Sequence, residues 1–384
     1  MSKKAGSGIS VVHVIDSGGY GGGERYLFDL VRNASGEVRH AAIIPCPGPL
    51  ARRLEQAGIP YAVTKMPPWF SPRAVLGISR MIRARCADII HSHGYRANIY
   101  ARAAAALAGA ASVCTVHISL FDYIDTPWWK KSIYMAVERF SSSMSRCFIC
   151  ISSAMEKDTL RLGVDEQKIV VIPNGVDLER FHPKMPDPLA AQRLGVSKTG
   201  PVIGTVGRMV NEKGQVYLID ALPELQEKFP DLTCLVVGDG PLLPYLKQRA
   251  ASIGVFNACI FAGTHENMED IYPLMDVFIL PSLREPFGLV LLEAMACGIP
   301  VVATDAGGPR DFISSGKNGI LVPPADSWEL AAAVSRLLLS PDTRKKLSVS
   351  ARRKVKKEFN IHGTVFRIEE VYRAVTARFL PEGA

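Results

Sequence analysis

The feature that most limits how this chain can fold is a rhythm of short apolar runs alternating with longer amphipathic stretches. Two strands can lie parallel and adjacent only if a crossover joins them, and that crossover is usually a helix, so the rhythm predicts parallel sheets covered by helices. In the first half the strand-like runs are 10–15, 40–45, 61–63, 89–91, 112–117, 147–151 and 169–172. Helical stretches at 23–33, 49–57, 73–85 and 95–107 lie between them. Residues 183–188 hold three prolines, which end helices and strands alike, and the rhythm then restarts. The second set of runs is 202–206, 233–237, 258–261, 277–280, 300–303 and 319–322. The expectation is an α/β chain of two doubly wound parallel-sheet domains, 1–183 and 184–365. A C-terminal helix, 366–384, is expected to return to the first domain. Doubly wound sheets bind ligands beyond the carboxyl ends of their strands, so two in tandem are expected to face a central cleft.

The totals agree with two soluble domains. A chain of 384 residues exceeds one ordinary core, and 48% hydrophobic with 21% charged residues is usual for globular proteins. Residues 1–8 are short and polar, unlike a secretory leader. No apolar run reaches 18 residues, and the Ala-rich 101–111 carries Arg102. The eight cysteines lie in apolar runs. Cys147 and Cys150, three apart on a strand, point to opposite faces, so buried reduced thiols are expected. These features predict a cytoplasmic protein. The formal charge of +8 is uneven: residues 1–190 hold 23 Lys and Arg against 16 Asp and Glu, and 191–384 hold 22 against 21. The first half is therefore the part that attracts anions. No nucleic-acid-binding motif accompanies that charge, which leaves an anionic membrane surface or a phosphate-bearing acceptor.

Three stretches carry candidate chemistry. The turn after the first strand holds five glycines within 18–23, which lets backbone N–H groups approach an anion at a helix N-terminus. It is not a dinucleotide fingerprint, because Gly19-x-Gly21 would need glycine where Glu24 stands; a tight structural turn explains it equally well. Gly207-Arg208 and Lys213-Gly214 follow another strand end, where two cations suit a diphosphate, although a solvated loop also carries such charges. The third stretch runs from Leu280 to Pro300. Glu285 precedes a helix that begins near Gly288, and Glu293 sits about one and a half turns inside it. The N–H groups of Gly288, Leu289 and Val290 form anion donors at the helix mouth. Glu293 is flanked by Leu292, Ala294 and Met295, and a carboxylate on such a face argues for use rather than accident.

Glu285-x7-Glu293, with Gly207-Arg208-x4-Lys213-Gly214 upstream and 304–308 (Thr-Asp-Ala-Gly-Gly) downstream, resembles the family 4 retaining glycosyltransferases of the GT-B fold. The likeness includes 21–25 (Gly-Gly-Gly-Glu-Arg), 88–93 (Asp-Ile-Ile-His-Ser-His), Thr115-Val-His117, Ile151-Ser152, 172–177 (Ile-Pro-Asn-Gly-Val-Asp), 237–241 (Val-Gly-Asp-Gly-Pro) and 261–263 (Phe-Ala-Gly). It implies two Rossmann-like domains, the first reading the acceptor and the second the nucleotide-sugar. It also implies a hexosyltransferase that needs no cofactor and no metal, transferring from a UDP-sugar, or less often a GDP-sugar, to a glycan or lipid-linked acceptor. The setting it suggests is cell-surface polysaccharide or glycolipid synthesis. Arg208 and Lys213 would clamp the diphosphate, Glu285 would hold the transferred sugar, and Glu293 the ribose. Gly207 belongs to the same donor set; backbone from Gly263 to Met268 would frame the base. Gly22 and Gly23 would meet the phosphates, His117 the donor sugar, and Ser152 would lie nearby. The family's mechanism has the leaving phosphate oxygen take the acceptor's proton. Two departures stand out: Pro286 stiffens the loop after Glu285, and Asp311 stands where the family often has Glu.

Acceptor-side candidates are His93, Tyr95, Trp128 and Trp129. His91 and His93 are expected to point to opposite faces of their strand, against a two-histidine metal site. Trp128 and Trp129, beside Lys130 and Lys131, either pack with Ile133 on the core or seat the protein on an anionic leaflet. The rival functions are a nucleotide-sugar epimerase or phosphorylase on the same fold, and a non-catalytic binder of nucleotide-sugars or polyanions.

Overall fold

A computed structural model describes residues 8–19, 21–67, 70–122, 127–196 and 199–377. The chain forms two compact units, Met1–Asn174 with Ile361–Ala384, and Gly175–Asn360. The divisions fall at 174/175 and 360/361, where the sequence suggested 183/184 and 365/366. The reason is a pairing the prolines do not mark: Val176 N–H donates to the Phe359 carbonyl (2.8 Å) and Val176 bridges Asn360. Segments entering and leaving the second unit are thus stitched together before the proline run begins. Residues 378–384 of the expected C-terminal helix lie outside the described residues.

The first unit alternates β1 (Ile9–Ile15), α1 (Gly22–Arg32), β2 (Val38–Ile44), α2 (Pro49–Gln56), β3 (Tyr61–Val63), α3 (Pro72–Ala84), β4 (Ile89–His93), α4 (Tyr95–Ala108), β5 (Ala111–Val116), α5 (Trp128–Ser141), β6 (Cys147–Cys150), α6 (Ser153–Arg161) and β7 (Ile169–Val171). Its seven strands lie in the order β3-β2-β1-β4-β5-β6-β7, all parallel. β1 is rich in β-branched residues and buried on both faces, as a central parallel strand must be. Val12 and Val14 face α3 and α4, where Ala97, Ala101, Ala104 and Ala105 allow close helix packing. Val11 faces the opposite way, toward Tyr26 and Leu30 of α1 and toward Ile361, Val365, Ile368 and Tyr372. Those last four belong to the final helix, which is therefore part of the first unit's core.

The second unit runs through α7 (Pro188–Leu194), β8 (Val202–Val206), α8 (Gln215–Lys228), β9 (Thr233–Val237), α9 (Leu243–Ser252), β10 (Cys259–Gly263), α10 (Met268–Ile271), β11 (Val277–Leu280), α11 (Leu289–Ala296), β12 (Val301–Thr304), β13 (Ile320–Val322), α12 (Ser327–Leu339) and α13 (Pro341–Glu358); α14 (Ile361–Ala377) follows. Its six parallel strands lie in the order β10-β9-β8-β11-β12-β13. In each sheet the order reverses beside the first strand, between β1 and β4 and between β8 and β11. Loops leaving the carboxyl ends at such a reversal diverge to opposite faces and leave a crevice. Gly22, Gly23, His93 and Tyr95 lie at or just after the ends of β1 and β4, and Gly207, Arg208, Lys213, Glu285 and Gly288 follow β8 and β11. Ser152, Gly263, Met268, Trp128 and Trp129 lie away from the two reversals. Among the described residues no helix is long and apolar enough to cross a membrane.

Candidate active site

In the second unit the turn after β8 is sewn to the loop after β11. Gly214 has φ +61°, and a Cβ there would run into the Pro281 carbonyl, so glycine permits both the turn and the approach. The Glu212 carbonyl accepts from the amides of Leu283 (2.8 Å) and Arg284 (3.3 Å). This brings Lys213 to Glu285, where Nζ donates to Oε2 at 2.7 Å and Ser282 Oγ donates to the same oxygen at 2.9 Å. Glu285 is 6% exposed and the Lys213 side chain 26%, so the pair is half-shielded with the cation on the open side. The Glu285 main chain is held on both sides: its N–H donates to the Ala306 carbonyl (2.9 Å) and its carbonyl accepts from Gly308 N–H (2.7 Å). A Cβ at Gly308 would strike the backbone of Phe287. Phe287 in turn packs with Phe312 and Phe359, ring centroids 5.3 and 6.4 Å away, so the loop is pinned from below.

Gly288 is the N-cap of α11 with φ +96°, and a Cβ on it would crowd Leu291 at 3.0 Å and Glu285 Cγ at 3.5 Å. Leu289 and Val290, the first residues of the helix, have N–H groups without intrahelical acceptors, aligned with the positive end of its dipole. Glu293 is buried, 1% exposed, and accepts a 2.6 Å hydrogen bond from the Tyr272 hydroxyl. Arg208 is exposed, its guanidinium in no ion pair among the described residues, while its carbonyl accepts from Gln215 Nε2 at 3.0 Å. Gly207 follows β8 and Gly263 ends β10, with β9 between them in the sheet; Gly263 has φ +70°, and its carbonyl accepts from Gly238 N–H at 2.7 Å. Met268 is buried at the start of α10. Lys213, Arg208 and the helix N-terminus are the groups here able to attract an anion, and both buried carboxylates are already bonded, Glu285 to Lys213 and Ser282 and Glu293 to Tyr272.

The first unit supplies a separate set. Gly22 and Gly23 open α1, whose N-cap amide at Gly21 donates to Glu24 Oε2 (2.9 Å). A Cβ at Gly23 would stand 3.9 Å from the His117 ring. His117 follows β5 and is half-buried, with Tyr26 edge-on at 4.7 Å. Its Nε2 lies 3.1 Å from Nδ1 of His93, which ends β4. Burial holds His117 at about 4, so the ring is neutral near pH 7. Tyr95 opens α4, and its hydroxyl accepts from Leu120 N–H at 3.1 Å. Ser152 is fully buried and caps α6, accepting from Met155 N–H at 3.3 Å.

Three expectations need correcting. His91 and His93 lie two apart on β4 and so share a face, ring centroids 4.4 Å apart; alternation separates odd from even positions, not these two. Trp128, Trp129 and Ile133 do not pack on the core: Trp128 is 80% exposed and the other two are exposed as well. Two of the eight cysteines, Cys46 and Cys86, are exposed rather than buried. Residues 123–126 of the aromatic stretch lie outside the described residues. Sequence reasoning missed Tyr272, Ser282, the buried His13 and the half-buried His40. The i, i+2 spacing of His91 and His93 next to a histidine-bearing β1 was the available signal for the last two.

Comparison with known proteins also divides the chain in two, between residues 180 and 188. Residues 20–180 match the family described as Glycosyltransferase Family 4, and residues 188–354 the family described as Glycosyl transferases group 1. Alpha-maltose-1-phosphate synthase of Mycobacterium tuberculosis is 30% identical over 315 residues, 77% of this chain and 81% of that protein. The UDP-Gal:alpha-D-GlcNAc-diphosphoundecaprenol alpha-1,3-galactosyltransferase of Escherichia coli is 29% identical over 306 residues, 78% and 79% of the two chains. The crystal structure of Anabaena HepE in complex with UDP-glucose superposes with a TM-score of 0.85 at 25% identity, covering 95% of this chain and all of that one. Each sheet, each glycine-dependent turn and each of these likenesses agrees: the chain belongs to the group 1, family 4 glycosyltransferases of the GT-B fold.

Proposed function

We propose that this protein is a retaining, metal-independent hexosyltransferase that moves a sugar from a nucleotide-diphosphate donor, UDP before GDP, to a glycan or lipid-linked acceptor. The observation that carries the reading is the Lys213–Glu285 pair at the mouth of α11. Arg208, Lys213 and the amides of Leu289 and Val290 take the diphosphate and stabilise the charge it gains on leaving. Glu285 holds the transferred sugar, Glu293 the ribose, and backbone from Gly263 to Met268 the base. In the first unit, Gly22, Gly23 and His117 serve the donor, with Ser152 beside them, and Tyr95 serves the acceptor; His93, buried with both ring nitrogens bonded to His13 and His117, reaches no ligand directly. As the anomeric C–O bond to the diphosphate breaks, the acceptor oxygen bonds to the same face of the anomeric carbon. Its proton passes to the departing phosphate oxygen. Two side-chain cations and a helix N-terminus do the work a metal ion would do. Two likenesses support the donor and acceptor: HepE was solved with UDP-glucose, and the Escherichia coli relative is named for UDP-Gal and a diphosphoundecaprenol-linked sugar.

The test is a panel of UDP- and GDP-sugars screened by thermal shift. A ligand at 100 times its Kd should add about 2.7 kcal/mol of stability. Turnover of the best donor is then followed in chelator, with the product's anomeric configuration read by NMR. Inversion at the anomeric carbon, or a strict need for added manganese, would end this reading. Epimerised nucleotide-sugar without acceptor would favour an epimerase, and binding without any slow hydrolysis a silent binder.

We also propose peripheral attachment to the inner face of the cytoplasmic membrane, because α5 turns its apolar side to water. Trp128, Trp129, Ile133, Tyr134, Val137 and Phe140 are exposed, Phe140 by 87%, beside Lys130 and Lys131. Glu138 is the residue that α5 buries, bonded to Arg102 of α4 at 2.6 and 2.9 Å, so the helix is tethered by a polar anchor and not by an apolar stripe. Sedimentation with vesicles should rise with anionic lipid and fall with salt. It should drop for Lys130→Glu/Lys131→Glu with unchanged Tm; absence of binding at low salt would leave a soluble acceptor as the better reading.

A further inference from the structure

Four of the eight histidines form one hydrogen-bonded line through the first unit. His40 Nδ1 lies 2.9 Å from His13 Nε2, His13 Nδ1 lies 3.1 Å from His93 Nε2, and His93 Nδ1 lies 3.1 Å from His117 Nε2. The sheet makes this possible. His13 on β1 and His93 on β4 share one face, and β2 and the end of β5 flank them. Consecutive rings are nearly parallel, with interplanar angles of 25°, 20° and 29°. His91, in the same layer, stands outside the line, bonded to the Tyr372 hydroxyl (2.6 Å) and to Thr115 Oγ1 (2.7 Å).

Every link joins Nδ1 of one ring to Nε2 of the next, so the line runs head to tail. Burial lowers His13 and His93 well below the usual histidine value and holds His40 and His117 at about 4, so all four rings are neutral near pH 7. A neutral imidazole carries one N–H and one bare nitrogen, and each link needs one of each. Only two arrangements satisfy all three links: every ring protonated on Nδ1, or every ring protonated on Nε2. The ends decide between them. His40 Nε2 is buried with no partner among the described residues. A hydrogen there would be an orphaned buried donor, which folded proteins rarely keep, whereas an unfilled acceptor is better tolerated. The line therefore settles with bare Nε2 at His40, and its free hydrogen emerges at the other end, on Nδ1 of half-buried His117.

We propose that His40, His13 and His93 are positioning residues that act through His117: the line fixes its tautomer, so that it offers an Nδ1–H donor to a phosphate or hydroxyl oxygen of its ligand. A ring protonated on Nδ1 cannot take a proton there, so His117 is a hydrogen-bond donor and not the base that activates the acceptor. This last step rests on the proposed role of His117 as a ligand contact; the tautomer itself does not.

The experiment uses the ligand-free full chain at pH 7.5 with ¹⁵N in its imidazole nitrogens, read by two-bond ¹H–¹⁵N correlation. His13, His40, His93 and His117 should each show a protonated Nδ1 and a bare Nε2. One of the four protonated on Nε2 overturns the proposal. So does a stoichiometric bound metal removable by chelator, since nitrogens of His13, His91 and His93 all lie within 4.8 Å of one another. His13→Leu should move the His117 signals toward the average of the two tautomers, although those rings are not bonded, while His91→Leu should leave them. Equal movement in both variants would mean general loosening and would sink the relay. UDP-glucose should then shift the Nδ1–H signal of His117. An unmoved signal with UDP-glucose bound by calorimetry removes the ligand role while the tautomer result stands.

Discussion

Replacing Glu285 by Gln removes one charge and almost no volume, which makes it the sharpest probe of the site. The carboxylate oxygen that changes accepts from both Lys213 Nζ and Ser282 Oγ, at 2.7 and 2.9 Å. A hydrogen bond to a charged group contributes roughly 1.5–3 kcal/mol. Lys213 is 26% exposed, so water recovers part of what it loses, and the amide oxygen still accepts from Ser282. The expected cost to the unliganded protein is about 1 kcal/mol, a fall in Tm of roughly 2–4 °C for a unit of this size. Turnover should suffer much more, because contacts to the reacting sugar count most in the transition state. A loss of about 10²–10³-fold in kcat corresponds to roughly 3–4 kcal/mol. Nucleotide affinity should stay within about threefold, under 1 kcal/mol. The assay is initial rate at saturating donor, with UDP affinity by calorimetry and Tm on the same preparation. Turnover within tenfold of the parent, at an unchanged Tm, would refute the assignment of Glu285 to the transferred sugar.

Lys213→Ala should weaken UDP binding far more than uridine binding, because the lost cation serves only the charged ligand; equal losses in calorimetry would point to a folding defect instead. Glu138→Ala should cost about 3–5 kcal/mol in chemical denaturation, since it leaves Arg102 buried and unpaired; a loss under about 1 kcal/mol would show that water reaches the guanidinium. Thermal stability should fall as pH is lowered from 6.5 toward 4. Burial depresses His40 and His117 from 6.5 to about 4, so in that window the unfolded chain binds protons that the folded chain refuses. A Tm flat between pH 7 and pH 5 would contradict the burial of these rings.

The strands were legible because two-sided burial writes itself into a parallel strand as an unbroken apolar run; 202–206 and 277–280 match residue for residue. The glycine turns and the Glu285–Glu293 spacing were legible for a similar reason, since each needs particular residues at fixed steps. Tertiary partners were not. Tyr272 reaches Glu293 from 21 residues away and Tyr372 reaches His91 from 281 away, and no local pattern marks either. The exposed side of α5 misled because its aromatic spacing is that of a core helix. What holds its orientation is a polar anchor, Glu138 with Ser141, whose shared partner Arg102 lies on another helix.

The last helix of the chain completes the first unit, and this dictates an order of events during synthesis. When residues 8–174 have left the ribosome, the sheet face that α14 will cover is still bare, and His91 Nδ1 and the Ser35 amide lack the Tyr372 and Glu369 side chains that satisfy them. The whole of the second unit must emerge before that helix arrives. Nascent first units are thus incomplete for the time it takes to translate 186 residues, roughly 10–40 s at about 5–20 residues per second. A circular permutant that begins at Ile361 and joins Ala384 to Met1 would make the covering helix first, and would shorten the interval in which a chaperone can bind that face.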